Sequence, residues 1–223
     1  MSRFEEGQVL LINKPLHWTS FDVVRKIRNL IKIKKVGHAG TLDPLATGLL
    51  ILCTGKFTKR INEFMAQEKE YTGSMILGAR TPTYDLESEP ENFKDIALIN
   101  ESLIEAATKE FKGEILQTPP IHSAIKKDGR RVYELARQGI AVKLEPRKIF
   151  IKEFEITGIS LPEIRFRVVC STGTYIRSLA NDFGEALGCG AYLSALCRTR
   201  IGAFSINQSM TMEETEKFIV NDP

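Results

Sequence analysis

From residue 34 to residue 47 the apolar periodicity of this chain gives way to Gly37, Gly40, Pro44 and small polar residues, which marks a loop. Before it, Thr19-x-x-Asp22 has the form of a capping box, and Phe21, Val24, Ile27 and Ile31 follow at helical spacing. After it, residues 48–53 read as a buried strand. A polar loop trapped between two such elements is where sites tend to be placed. One carboxylate, Asp43, sits in it, with His38 five residues earlier. Pro44 fixes its own φ and biases Asp43 toward an extended backbone, and the glycines permit close backbone approach to a ligand. On pattern alone, a lone loop aspartate is more often a turn former.

Around this loop, residues 8–13 read as a strand stopped by Lys14-Pro15. Further strands are expected at 70–77, 143–156, 164–171, 191–197 and 199–206. Helices are expected at 99–111, at 130–138 (short, basic and ended by Gly139) and at 175–187, ended by Gly188. Residues 117–129, with Pro119-Pro120 and Gly129, read as loop, and Thr211-x-x-Glu214 caps a last helix. The mixture lacks a βαβ rhythm. We therefore expect an α+β fold built on a mixed, mostly antiparallel central sheet flanked by helices and loops.

The chain has 223 residues and ordinary globular composition, 43% hydrophobic and 26% charged. Its longest apolar run, 49–53, is too short to cross a bilayer, and the polar residues 1–7 contain no apolar signal core, so a cytoplasmic protein is expected. Cys53, Cys170, Cys189 and Cys197 form no C-x-x-C pair, which argues against a zinc site or a disulfide framework and for buried or partly buried thiols. Net charge is only +3, but the charges are segregated. Residues 24–38 carry Arg25, Lys26, Arg28, Lys32, Lys34 and Lys35 and no acid. Residues 119–148 are also basic, whereas 84–110 are strongly acidic. A polyanion-binding face with an acidic back would explain this, and so would ordinary surface helices. Gly55-Lys56 is not a phosphate loop, because Phe57 stands where Ser or Thr is needed and Leu50 where the first glycine should be. No H-E-x-x-H, G-x-S-x-G or G-x-G-x-x-G occurs.

The stretch 37–48 resembles the catalytic motif of the TruB family of tRNA pseudouridine synthases. The resemblance continues in order along the chain: Leu11-Ile12-Asn13-Lys14-Pro15, then Glu70-Tyr71, then Ser123-Ala124-Ile125-Lys126 with Tyr133-Glu134-Leu135-Ala136-Arg137-Gln138-Gly139, then Gly173-Thr174-Tyr175-Ile176-Arg177, then Leu187-Gly188-Cys189-Gly190-Ala191 and Leu196-Cys197-Arg198. It implies the pseudouridine synthase fold and isomerisation of uridine to pseudouridine in the T-loop of tRNA, at the position usually numbered 55. The base would be flipped from its stack to reach Asp43. Asp43 is then the catalytic carboxylate, acting as nucleophile or as stabiliser of charge at C1′. Arg177 holds it ionised, and Tyr71 stacks on the target base. His38 fills the space the base vacates, Lys59 lies near the active site and Leu196 lines the pocket. An insertion over 119–147, including Lys126, Arg130, Arg131 and Arg137, grips the RNA. The reaction is redox-neutral, so no cofactor and no metal are implied. The T-arm of tRNA is the expected partner, with no membrane, no protein partner and a monomeric enzyme. The whole of 1–223 is expected to form one catalytic domain without the further C-terminal RNA-binding domain of many bacterial relatives. The alternatives weighed are a tRNA-binding or folding factor in which catalysis is secondary, and an RNA glycosidase, for which no second acid/base pair is found.

Overall fold

The computed structural model describes residues 2–123, 126–127, 130–132 and 144–221, with the backbone alone at 126, 127, 130 and 131. The chain divides into two compact units, Met1–Thr72 with Ala195–Pro223, and Gly73–Ser194.

The first unit begins with the short helix α1 (Arg3–Glu6) and strand β1 (Val9–Lys14). Helix α2 (Ser20–Ile31) starts where the capping box requires: Thr19 Oγ1 accepts from Asp22 N at 3.0 Å, and Asp22 Oδ2 accepts from Thr19 N at 3.0 Å. It buries Ser20, Val23, Val24 and Ile27. Phe21, expected on that face, is 56% exposed, since it lies about 100° around the helix from the stripe centred on position 20. The expected loop contains a short strand, β2 (Val36–His38), antiparallel to β3 (Ala46–Thr54) with His38 opposite Leu52. Three residues are too few to show a period, so the sequence reads through it as loop. Strand β3 is covered on both faces. Leu50 and Leu52 pack with Val24, Ile27 and Ile219, while Leu49, Ile51 and Cys53 pack with Phe64 and Ile201. That explains an apolar run without alternation. A 3-10 helix (Gly55–Arg60) and α3 (Ile61–Met65) lead to β4 (Lys69–Leu77), which passes from the first unit into the second.

In the second unit α4 (Glu101–Glu110) is capped by Asn100, whose Oδ1 accepts from Leu103 N at 3.0 Å. Strand β5 (Gly113–Gln117), which the sequence reading left unassigned, pairs antiparallel with β8 (Arg147–Ser160). Before β8 come β6 (Lys126–Lys127) and β7 (Arg130–Arg131), paired antiparallel with each other. Residues 130–131 are thus strand where a helix was expected. The Asp128-Gly129 dipeptide between the two pairs is a hairpin signal that outweighs the helical spacing. Val132 is helical and buried, and 133–138 of that expected helix, with Arg137, lie outside the described residues. Strands β8 (Arg147–Ser160) and β9 (Glu163–Cys170) are antiparallel, and the order within this unit is β4-β9-β8-β5. Helix α5 (Ile176–Ala186) covers the sheet through Phe183, whose ring meets Phe154 edge-on at 5.4 Å.

Strand β10 (Ala191–Ile201) returns the chain to the first unit. There it runs parallel to β3, with Leu196, Cys197 and Arg198 opposite Ala46, Thr47 and Gly48. The two strands expected at 191–197 and 199–206 are one strand to Ile201 followed by the short β11 (Phe204–Ser205). Arg198 looks like a break in the sequence, but its side chain is 1% exposed and its backbone continues the ladder. Helix α6 (Met212–Asn221) opens on the predicted box, Thr211 and Glu214 each accepting from the other's backbone N–H. The α+β class and the mixed, mostly antiparallel sheet are as expected. All four cysteines are free thiols, and no described helix is long and apolar enough to cross a membrane.

Candidate active site

Asp43 lies half-buried in the first unit, on the loop between β2 and β3. Hydrogen bonds to its backbone tie that loop down. Ser20 Oγ, at the start of α2, accepts from Leu42 N at 2.8 Å and donates to Leu42 O at 3.2 Å. Ala46 N donates to Asp43 O at 3.1 Å, and His17 N to Pro44 O at 2.8 Å. Two buried cations complete the clamp. The Arg198 guanidinium donates to Leu49 O (2.8 Å), Gly40 O (3.2 Å) and Thr41 O (3.4 Å). Lys14 Nζ donates to Trp18 O (2.6 Å), Pro15 O (2.9 Å) and Pro44 O (3.4 Å). Charged donors make stronger bonds than neutral ones, and here they hold carbonyls on both sides of the aspartate.

Two glycines make this close packing possible. Gly40 has φ +93°, a conformation costly for any side chain. Gly48 has φ +105°, and a Cβ there would stand 2.4 Å from the Arg198 carbonyl oxygen. At Gly48 the backbone that approaches closely is that of β10.

Lys14 is fully buried. Burial draws its pKa from 10.5 down to about 8; the Asp43 carboxylate opposes this, and Arg198 adds to it. Between about pH 8 and 10.5 the unfolded lysine is protonated and the folded one is not. The unfolded state then binds more protons, so this group makes folding more favourable as pH rises through that window. A Lys14→Met variant loses this dependence. Urea melts of both proteins are expected to show wild type gaining about 2 kcal/mol on the variant between pH 7.5 and pH 10. A pH-independent difference would contradict the assignment.

Of the other residues singled out in the first unit, His38 ends β2, and burial pushes its pKa below 6.5, with the Gly40 backbone opposing and Arg198 reinforcing. A neutral imidazole with one donor and one acceptor suits the edge of a base. Tyr71 is 8% exposed on β4, and Leu196, partly buried on β10, stands opposite Ala46, three residues after Asp43. Strands β3, β10 and β4 are consecutive in the sheet order, so one unit carries Asp43, Leu196 and Tyr71 on or beside neighbouring strands. Lys59 is exposed on the 3-10 helix.

In the second unit Arg177 occupies the first turn of α5. Its side chain is buried, with Nη2 donating to His122 O (2.9 Å), Nη1 to Thr83 O (3.2 Å) and Nε 3.6 Å from Asp85 Oδ2. Asp85 is equally buried, and its Oδ1 accepts from Glu87 N at 3.0 Å. Sequence reasoning passed over Asp85 as one acid in an acidic stretch, and gave no role to Lys14 or Arg198 although it quoted both. Their signal was a charge inside an otherwise apolar strand or beside a turn. The side chains of Lys126, Arg130 and Arg131, and the whole of Arg137, lie outside the described residues. Among the described residues, no group of three or more His, Cys, Asp and Glu is placed to hold a metal ion.

Residues 28–176 match the family model described as "TruB family pseudouridylate synthase (N terminal domain)", and 177–222 match "tRNA pseudouridylate synthase B C-terminal domain". The chain is 58% identical over 212 residues to tRNA pseudouridine synthase B of Flavobacterium johnsoniae, covering 92% of this chain and 93% of that one. It is 54% identical over 213 residues to the protein of the same name from Bacteroides fragilis, covering 93% and 91%. Among solved structures it resembles a chain in a Cbf5-Nop10-Gar1 complex, with TM-score 0.76 and 32% identity over 96% of this chain. A second is an H/ACA RNP bound to a substrate RNA containing 2'-deoxyuridine, with TM-score 0.72 and 29% identity over 96% of this chain. This chain spans about half the length of those two solved chains, 55% and 54%.

Proposed function

The chain belongs to the TruB family of pseudouridylate synthases, and from that premise we propose that it isomerises the uridine at position 55, in the T-loop of tRNA, with Asp43 as its catalytic carboxylate. The observation that carries the reading is the construction of the Asp43 loop, a carboxylate set between carbonyls held by two buried cations. A turn-forming aspartate needs no such support. A carboxylate that must meet an anomeric carbon does, because a misplacement of about 1 Å can cost about 100-fold in rate.

The reaction breaks the N1–C1′ bond, turns the base and joins C1′ to C5. The hydrogen on C5 leaves as a proton and N1 gains one, so no electrons are exchanged and no cofactor is called for. The target base leaves its stack first, paying a few kcal/mol that contacts elsewhere on the RNA must supply. In this reading His38, neutral and at the end of β2, takes the vacated place. Tyr71 packs on the flipped base, Leu196 bounds it, and Arg177 supplies the positive charge the reaction needs. Lys59 and the basic residues of 119–147 hold the phosphates. The protein then works as a cytoplasmic monomer on the T-arm.

Incubating the protein with an unmodified tRNA transcript and mapping pseudouridine by carbodiimide adducts and primer extension tests this. A single new stop at position 55, absent when that uridine is replaced by cytidine, is the expected result. Binding without any stop would favour the tRNA-folding reading, and a stop elsewhere would refute the assigned position.

A further inference from the structure

The basic residues of α2 and the turn after it are not equivalent, and the structure sorts them. At the N-terminal end, Arg25 Nη2 lies 2.6 Å from Asp22 Oδ1 and Lys26 Nζ lies 3.1 Å from Glu216 Oε2 on α6. The surface hollow there, about 410 Å³, is lined by charges of both signs, Asp22, Arg25 and Lys26, with Trp18 and His17. A second hollow of about 440 Å³ adjoins it at Asn29 and is lined by Arg28, Asn29, Lys32, Ile33 and Lys34, with no carboxylate in its walls among the described residues. We infer that this second hollow is a docking cradle for the phosphodiester backbone of the RNA substrate, with Arg28, Lys32 and Lys34 as its contacts. The inference rests on the reading of the substrate as RNA and adds to it a site outside the loop that carries Asp43.

The cradle is built before any ligand arrives. Arg28 Nη2 donates to Val36 O at 2.7 Å and its guanidinium lies 5.7 Å from the centre of the Phe21 ring, so the fork is already oriented. That contact also gives a partner to Phe21, which is 56% exposed. Lys32 ends α2 in the left-handed conformation, φ +57°, and Lys32 and Lys34 are exposed. The turn between them and β2 is pinned, since Lys34 O accepts from Val36 N at 3.0 Å and Lys35 O accepts from Gly55 N at 2.8 Å. A helix C-terminus carries about half a negative charge and would by itself repel a phosphate. Three cations outweigh it, and they are themselves favoured there by the same dipole. The segment runs directly into β2, whose last residue is His38. A backbone seated in the cradle therefore continues toward the loop that carries Asp43. Anionic lipid would satisfy the same charges without that continuity.

The test uses the full chain and compares wild type with Lys32→Gln/Lys34→Gln. Both substituted side chains are exposed, so folding is spared. Adding Arg28→Gln makes a triple variant, and Lys109→Gln on α4 is the control for loss of charge alone. Affinity for tRNA is measured from 50 to 200 mM KCl, together with KM and kcat. Each phosphate contact contributes about 0.7–0.9 to the slope of log affinity against log salt. The double variant is expected to lower that slope by about 1.4–1.8, to weaken binding about 10-fold at 100 mM KCl, and to keep kcat at saturating tRNA. The triple variant should lower the slope further. Slopes and affinities equal to those of wild type overturn the proposal. So does loss of binding to vesicles of anionic phospholipid with tRNA binding unchanged. If wild type makes no pseudouridine yet the double variant still loses tRNA affinity, the catalytic reading fails and the cradle stands.

Discussion

Asp43→Asn is expected to release no measurable tritium from tRNA labelled at uridine C5, a loss of at least about 10³-fold, while binding the same tRNA within about threefold of wild type. The substitution changes almost no volume and leaves in place the hydrogen bonds to backbone carbonyls and to Leu42 that hold the loop. What is removed is the negative charge. A factor of 10³ corresponds to about 4 kcal/mol in the barrier, which is the scale on which a carboxylate acts beside a carbon that gains positive character. Tritium reports the isomerisation, since C5 gives up its hydrogen as a proton once it has become bonded to C1′. A second readout follows from Lys14. The Asp43 charge raises the pKa of that buried lysine against the effect of burial, so in Asp43→Asn it should titrate below the wild-type value of about 8. Undiminished release by the variant would refute Asp43 as the catalytic group. Loss of release together with loss of binding and stability would make it a loop-former only.

The features legible in the sequence were those settled locally. The boxes at Thr19/Asp22 and Thr211/Glu214 start helices where they were read, because both partners of each hydrogen bond lie within four residues. The apolar run in β3 was legible because burial on both faces removes alternation. What was missed depends on residues far away in the chain. Arg198 looks like the end of a strand until the carbonyls of 40, 41 and 49 surround it. Lys14 looks like a turn residue until it is seen to be wholly buried. Gly48 opens a run that read as a strand, and nothing local shows that Arg198 of a parallel neighbour strand leaves no room there for a side chain. The candidate carboxylate could be named from its motif, but the machinery that holds it could not, since a buried charge carries no local signature.

Replacing Arg177 by Met is expected to cost about 3–5 kcal/mol of stability, visible as a fall in Tm of about 10 °C, together with most of the activity. Within its unit the guanidinium and the Asp85 carboxylate are each only 5% exposed, and removing one leaves the other charge in a dry surrounding. The 3.6 Å separation is too long for a strong hydrogen bond, so the attraction is mainly Coulombic, and the His122 and Thr83 carbonyls lose their donor as well. Asp85→Asn should cost less, about 1–3 kcal/mol, because its side-chain oxygen can still accept from Glu87 N. The double variant Arg177→Met/Asp85→Leu separates the two roles of the arginine. Exchanging a buried pair for apolar groups of similar size is often close to neutral, so stability should return toward wild type, with a coupling energy of about 1–3 kcal/mol. On the proposed role of the arginine, tritium release should not return, because no apolar side chain supplies its positive charge. If release recovers along with stability, Arg177 is a strut for the start of α5 and takes no part in the chemistry. If stability recovers alone, the arginine is needed where the reaction occurs, and Asp85 is the group that sets its orientation.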